Sequence, residues 1–182
     1  MELQTPHLLL RPWKESDAEA LYALAKDPEV GPAAGWNVHK DADDSRGIIR
    51  TVLSAPGTFA IWGRRDGLLR GSCGFFPARA QEAESGELEI GYWVGKPFWG
   101  RGIAPEAVEA LLAHCFLELG AARVWCAYFD GNEKSRRCQE KCGFRFHHTE
   151  RDVHWAATDE IKTEHYSVLT RAEWLKRQKM ED

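Results

Sequence analysis

No apolar run in this chain approaches the roughly 18 residues that a membrane span requires. Near its start it offers only three consecutive leucines, Leu8 to Leu10, behind acidic Glu2 and without a basic lead. A membrane protein and a secretory signal peptide are therefore not expected. A basic excess is also missing: 24 Lys and Arg stand against 28 Asp and Glu, a net charge of −4. That balance argues against a general nucleic-acid binder and suits encounter with a cationic substrate. Cysteines are few and odd in number: Cys73, Cys115, Cys126, Cys138 and Cys142. They stand at unrelated spacings without a Cys-x-x-Cys pair, which excludes a disulfide framework and implies reduced thiols. Cys138 and Cys142 lie one helical turn apart and read as packed helical thiols rather than zinc ligands, so no metal is expected. Internal repeats, low-complexity tracts and linkers are absent as well. With 43% hydrophobic and 29% charged residues over 182 positions, the expectation is one cytoplasmic globular domain spanning residues 1–182.

The patterned segments come in a definite order. His7–Arg11 reads as a strand that Pro12 breaks. Ser16-Asp17-Ala18-Glu19 reads as a capping box opening a helix with Leu21, Leu24 and Ala25 on one face, stopped at Asp27-Pro28. A Gly- and Pro-rich loop with Trp36 and His39 follows, then a poorer helix bearing Ile48, Ile49, Val52 and Leu53. Asp66-Gly67 between Thr58–Gly63 and Leu68–Phe76 is a hairpin signal. Glu87–Val94 alternates Leu88, Ile90, Tyr92 and Val94 on one face with Glu87, Glu89, Gly91 and Trp93 on the other. From Ala104 a long helix carries Val108, Leu111, Leu112, Cys115 and Leu119 until Gly120. Arg123–Phe129 is a strand and Asn132–Cys142 a helix closed by Gly143. Strands starting at Phe144–His148 and returning at Thr163–Leu169 precede a second capping box, Thr170 to Glu173. Hairpin strands first and strand–helix–strand units later predict an α/β (α+β) fold, a mixed sheet with helices on both faces.

One junction carries chemistry. Strand Glu89–Val94 leads through Lys-Pro-Phe-Trp-Gly-Arg-Gly-Ile-Ala104 into the long helix. Gly100 and Gly102 let an anion approach the backbone closely. The unpaired amides at the helix start, around Ile103 and Ala104, point at one spot that the helix dipole favours for negative charge, and Arg101 adds a cation. A P-loop would need Gly-x-x-x-x-Gly-Lys-Ser/Thr. A dinucleotide fingerprint would need glycine where Pro105 stands, in the first unit of a Rossmann half. Neither is present.

At these residues the chain resembles the GNAT superfamily of N-acetyltransferases. Their pyrophosphate pattern of Gln/Arg, two residues, Gly, one residue, Gly/Ala falls on Trp99, Gly102 and Ala104. Trp99 in place of Gln/Arg resembles the ribosomal-protein N-terminal acetyltransferase branch, where Trp-Gly-Lys/Arg-Gly precedes a pair like Glu106-Ala107. Leu8 to Pro12, Asn132 to Ser135 and Glu140 to Phe144 are similar to that branch too, in the same order. The resemblance implies a mostly antiparallel GNAT-type sheet and acetyl-CoA as cosubstrate, with direct acetyl transfer to a primary amine. That amine is a protein N-terminus or a small molecule.

The resemblance also implies roles. Pantetheine should run beside Tyr92, Trp93 and Val94, whose N–H groups can polarise the acetyl carbonyl. Asn132 is expected both to cap its helix and to contact the cofactor. Many relatives protonate the thiolate with a tyrosine where this chain has Gln139; Ser135 is the candidate acid instead. Glu89 is the candidate base, directly or through water, or else a structural anchor; Glu87 is a candidate for binding an ammonium group or else a solvated side chain. Trp36 and His39 lie where such enzymes admit the acceptor. His147, His148 and His154 read as structural. Exposed tryptophans among the eight would mark a homodimer surface. The alternative function is a catalytically degenerate acyl-CoA-binding or sensing module.

Overall fold

The computed structural model describes residues 1–181. Its elements are β1 (Leu3–Gln4), β2 (Leu8–Arg11), α1 (Ala18–Ala25), α2 (Gly31–Ala34), α3 (Ala42–Ile48), β3 (Thr58–Gly63), β4 (Leu69–Pro77), β5 (Leu88–Val94), α4 (Ile103–Ala113), β6 (Arg123–Phe129), α5 (Glu133–Lys141), β7 (Arg145–Trp155), β8 (Glu160–Thr170) and α6 (Arg171–Glu181). The strands form one sheet in the order β1-β2-β3-β4-β5-β6-β8-β7. Every neighbouring pair is antiparallel except β5 and β6.

Alternation along each strand decides which helices cover which face. Leu10, Ile61, Cys73, Ile90 and Val124 meet Val108, Leu111 and Leu112 of α4 in the larger core, which Cys138 and Cys142 of α5 and Trp174 of α6 complete. On the opposite face Leu21 and Leu24 of α1 pack with Ile49, Ala60 and Leu69. Farther along that face Trp125, Tyr166 and Ala80 form a third cluster. Helices therefore lie on both faces, as the element order predicts. All five cysteines are buried free thiols.

Three local expectations are corrected. The start of α1 is fixed by Asp17, not by Ser16 and Glu19. The Asp17 carboxylate accepts from the Lys14 amide at 2.9 Å and binds both terminal nitrogens of Arg11 at 2.8 Å. Leu119 lies outside the core, because a π turn over His114–Glu118 follows α4. The extra residue of that turn rotates the apolar stripe by about 100°, so Cys115 and Phe116 are buried and Leu119 is exposed. Finally, none of the eight tryptophans is exposed among the described residues, and the tryptophan argument for a dimer surface lapses.

The second capping box forms as expected. Thr170 Oγ1 accepts from the Glu173 amide at 3.2 Å, and Glu173 accepts from the Thr170 amide at 3.1 Å. Thr170→Ala is expected to lower unfolding free energy by about 1 kcal/mol, read from urea denaturation.

Candidate active site

Strands β5 and β6 pair over only three residue pairs, Leu88↔Val124, Glu89↔Trp125 and Ile90↔Cys126. Beyond Ile90, β5 continues with β4 as far as Val94 and β6 continues with β8 as far as Phe129. The parallel pair therefore splays into a wedge. The Cys126 thiol donates to the Ile90 carbonyl at 3.2 Å, and the Trp99 indole donates to the Val94 carbonyl at 2.7 Å. Both carbonyls belong to the β5 edge facing β6, and two-residue alternation puts the Tyr92 amide and carbonyl on that edge too. The Tyr92 groups lie past the last paired residue and face the wedge with no strand opposite them. Such a gap beyond the carboxyl ends of parallel strands is where α/β sheets take ligands.

Both helices at the wedge begin there. α4 is capped by Gly102 in the left-handed region (φ +74°), and no side chain caps it. Gly100 is left-handed as well (φ +72°), and a Cβ on either glycine would meet no other atom within 4 Å. The first-turn acid Glu106 is turned away, held by Thr5 Oγ1 at 2.5 Å and the His7 amide at 2.9 Å. The amides of Ile103 and Ala104 therefore lack a side-chain acceptor. Exposed Arg101, with its guanidinium 5.7 Å from the Phe98 ring centre, makes no ion pair among the described residues. Lys134 of α5 lies 3.4 Å above the Trp99 ring. The glycine loop is thus flanked by two cations, of which sequence reasoning found only Arg101.

α5 is capped by Asn132, whose Oδ1 accepts from the Ser135 amide at 3.2 Å, while Nδ2 donates to the Ala33 carbonyl at 3.3 Å. One turn on, Ser135 Oγ lies 2.9 Å from the Tyr92 hydroxyl. Burial keeps that phenol protonated, with its pKa well above the ordinary value. Gln139 is buried; its Nε2 donates to the Ala127 carbonyl at 2.9 Å and to Ser135 Oγ at 3.3 Å, and its Oε1 has no partner. A buried orphan acceptor at the wedge fits an N–H or S–H donor of a ligand. The open glycine cradle, the unpaired β5 edge and this orphan oxygen together fit the diphosphate and the amide arm of a CoA thioester.

The opposite face of the sheet holds the acids. Glu89, 1% exposed, is committed to Arg79. One oxygen accepts from the Arg79 amide at 2.9 Å and the other from its guanidinium at 2.6 Å. That occupancy matches the anchor alternative, each oxygen already holding one donor of Arg79. Glu87 is engaged too: it pairs with Arg123 and accepts from Trp125 Nε1 at 2.7 Å. Burial opposes its ionisation, but these bonds outweigh it and its carboxyl lies below the ordinary range. Glu87 is a brace under Trp125, not a free carboxylate for an ammonium group.

Trp36 packs edge-on against Trp93, 5.2 Å between centroids, and tilts over His39. His39 is buried, 2.8 Å from Ser45 Oγ, and burial lowers its pKa. It ties the loop to α3 and does not line the cleft described next. Trp155 Nε1 donates to the Gly35 carbonyl at 2.7 Å, so closely that a Cβ on Gly35 would lie 2.8 Å from that nitrogen. The early loop is thereby joined to β7. A cleft of about 400 Å³ lies here, lined by Arg79, Glu150, Val153, Trp155, Glu164 and Tyr166 among others.

Sequence reasoning did not find Arg79, Trp155, Glu164 or Gln139's orphan oxygen. A signal existed for Glu164, which shares one face of a strand with Tyr166 and Val168, an acid on an apolar stripe. Arg79 gave none, since it lies in an irregular connection. Among the described residues there is no cluster of three or more potential metal ligands, and no helix is long and apolar enough to cross a membrane.

Comparison with known proteins agrees with this geometry. The acetyltransferase (GNAT) domain model matches residues 7–145. The uncharacterized N-acetyltransferase p20 of Bacillus licheniformis is 30% identical over 174 residues, covering 93% of this chain and 96% of that protein. YdaF of Bacillus subtilis (strain 168), named as a candidate ribosomal N-acetyltransferase, is 35% identical over 102 residues, 56% of this chain and 55% of its own. The crystal structure of a GNAT-family acetyltransferase from Bacillus anthracis superposes with a TM-score of 0.80 at 23% identity, covering 94% of this chain and 99% of that one. With its matched domain, its ribosomal acetyltransferase-like relatives and its splayed mixed sheet, the chain belongs to the GNAT acetyltransferase family.

Proposed function

We propose that this acetyltransferase uses acetyl-CoA and transfers the acetyl group directly to a primary amine, a protein N-terminus or a small molecule. The observation that carries the reading is the wedge between β5 and β6, with an uncapped glycine loop at one end and an orphaned Gln139 oxygen inside. The amides from Gly100 to Ala104, with Arg101 and Lys134, hold the diphosphate. The backbone of Tyr92 and the Val94 amide, with the Asn132 amide, hold the pantetheine arm, and Gln139 Oε1 accepts from it; the Trp93 amide, expected to share this role, faces β4 instead. Bound there, the cosubstrate supplies an activated acetyl thioester. The Tyr92 N–H polarises the acetyl carbonyl as negative charge develops on its oxygen. Ser135, with the Tyr92 hydroxyl behind it, provides the proton path to the sulfur. None of the cysteines is needed as a nucleophile, and burial raises the thiol pKa of Cys73, Cys115 and Cys126.

The test is thiol release from acetyl-CoA across a panel of amines and N-terminal peptides. Release that requires both acetyl-CoA and an amine is the expected result. Thermal stabilisation by acetyl-CoA without turnover would identify a binding or sensing module instead. No stabilisation at all would remove the cofactor reading.

A further inference from the structure

The cleft on the acid face contains an electrostatic conflict. Glu150 of β7 and Glu164 of β8 are direct cross-strand partners, an arrangement in which like charges repel. The Glu164 side chain is 4% exposed and that of Glu150 is 9% exposed. Glu150 Oε1 is 2.7 Å from the Gln81 amide and 2.9 Å from His148 Nε2. Glu164 has only long contacts, Arg79 at 3.4 Å and the Tyr166 hydroxyl at 3.3 Å. The one arginine lining the cleft is already bonded to Glu89 through both its guanidinium and its amide. Two carboxylates, Glu89 and Glu164, thus share Arg79 with Glu150 close by, and a second cation is wanted where Glu164 faces the cleft.

The cleft wall meets the end of β6, where the wedge opens. Trp155 meets Phe129, the last residue of β6, at 5.0 Å between centroids, and Arg79 stands 4.9 Å over the Trp155 ring. β7 carries a register shift between Glu150 and Val153, with Asp152 at φ +55°. Such a bulge bends its strand and re-aims side chains. The cleft therefore lies on the sheet face opposite α5, beside the open end of the wedge.

We propose that this cleft binds a cationic primary amine between Trp155 and Tyr166, and that Glu164, rather than Glu89, takes its proton. This rests on the acetyl-transfer reading above. Glu89 is then a positioning residue, which holds Arg79 against the cleft wall. The ammonium group gives one proton to the Glu164 carboxylate, from which it passes to solvent. The neutral nitrogen attacks the thioester carbon, a C–N bond forms and the C–S bond breaks. The electron pair leaves on sulfur, and the second nitrogen proton goes with it to give the free thiol. Burial, opposed by Arg79 and reinforced by Glu89, raises the Glu164 pKa and makes it a stronger proton acceptor. The groups that set its titration are Arg79, Glu89, Tyr166, Glu150 and, behind Tyr166, His148.

The experiment compares the full chain with Glu164→Gln and Glu89→Gln, using tyramine in one arm and a hexapeptide with a free N-terminus in the other. Acetyl-CoA affinity is measured alongside by calorimetry. Glu164→Gln should lower kcat/KM at least about 100-fold near neutral pH. The deficit should close as pH rises toward the amine's own pKa, about 8 for an N-terminus and about 10 for an alkylamine. Acetyl-CoA affinity should not change. Glu89→Gln should raise KM for the amine, with a deficit that does not close with pH. The arm that turns over identifies the source of the amine. Glu164→Gln with undiminished turnover, or a loss equal at every pH, overturns the assignment. So does a closing deficit in Glu89→Gln. If acetyl-CoA binds and neither arm is acetylated, the base assignment falls and the cofactor reading stands; if acetyl-CoA does not bind, both fall. Should Glu164→Gln fail to fold, Glu164→Asp keeps the charge and should lower kcat about 10-fold while retaining the acidic limb; an unchanged kcat overturns the proposal.

Discussion

Gly102→Leu is expected to weaken acetyl-CoA binding by at least about 100-fold while the chain remains folded. Gly102 has φ +74°, and its Cβ would project into space where no other protein atom lies within 4 Å. The Cβ of a leucine there meets no distant part of the protein, and the side chain extends into the place an anion must take to reach the amides of Ile103 and Ala104. The left-handed backbone costs a non-glycine residue about 1–2 kcal/mol, set against a total stability of about 5–15 kcal/mol. Losing two charge-assisted hydrogen bonds, each worth about 1.5–3 kcal/mol, accounts for the drop in affinity, since a factor of 100 is about 2.8 kcal/mol. Gly67→Leu is the control, because Gly67 is also left-handed (φ +64°) and unobstructed but lies in the β3–β4 hairpin. It should show the same loss of stability and unaltered affinity. Calorimetric titration and thermal melting separate the two effects, and unaltered affinity in Gly102→Leu would remove the loop assignment.

Arg79→Met should be the most destabilising single change on the acid face. It leaves Glu89 and Glu164 buried against each other without their shared cation, and breaking such a pair costs about 3–5 kcal/mol. The lower end is expected, because the Arg79 side chain is 39% exposed and water reaches part of the space it leaves. The loss should depend on pH with a definite sign. The Glu164 pKa is already above its ordinary value, so its contribution is most favourable below the unfolded value of about 4.3 and is lost as pH rises through the folded value. Removing the arginine pushes the folded value higher. Arg79→Met should therefore lose more stability at neutral pH than in mild acid, in urea unfolding at the two conditions. Equal losses at both would mean that Arg79 contributes packing over Phe76 and Trp155 rather than charge.

The sequence is most legible where local signals are unopposed. The hairpin at Asp66-Gly67, the alternation from Leu88 to Val94 and the box at Thr170 to Glu173 each follow from backbone preference and side-chain chemistry within a few residues. The glycine loop alone is ambiguous, since such turns often only redirect the chain, and it becomes readable through Asn132 and Glu140 to Phe144 farther along. The acid face is less legible. Glu87 and Glu89 stand on the expected strand face, yet Arg123, Trp125 and Arg79 reach them from distant or irregular segments, and nothing in the strand's own pattern names those partners. Glu164 is the converse case, a carboxylate whose importance comes from what does not reach it. Leu119 fails for a geometric reason, since one inserted helical residue turns a stripe that spacing alone would continue.

The short seam between β5 and β6 has a consequence for the sheet as a whole. On one side of it β1 to β5 form a continuous antiparallel unit, and on the other β6, β8 and β7 form a second. Only three residue pairs join the two. Past that seam each edge forgoes the bonds a neighbouring strand would supply, each worth about 0.5–1.5 kcal/mol net. An extended molecule with amides of its own, laid along the gap, acts as a substitute strand. Under the proposed binding mode the cosubstrate is more than an occupant of a pocket: it would complete the sheet, so that the architecture of the protein and its affinity for the ligand draw on the same unmade hydrogen bonds.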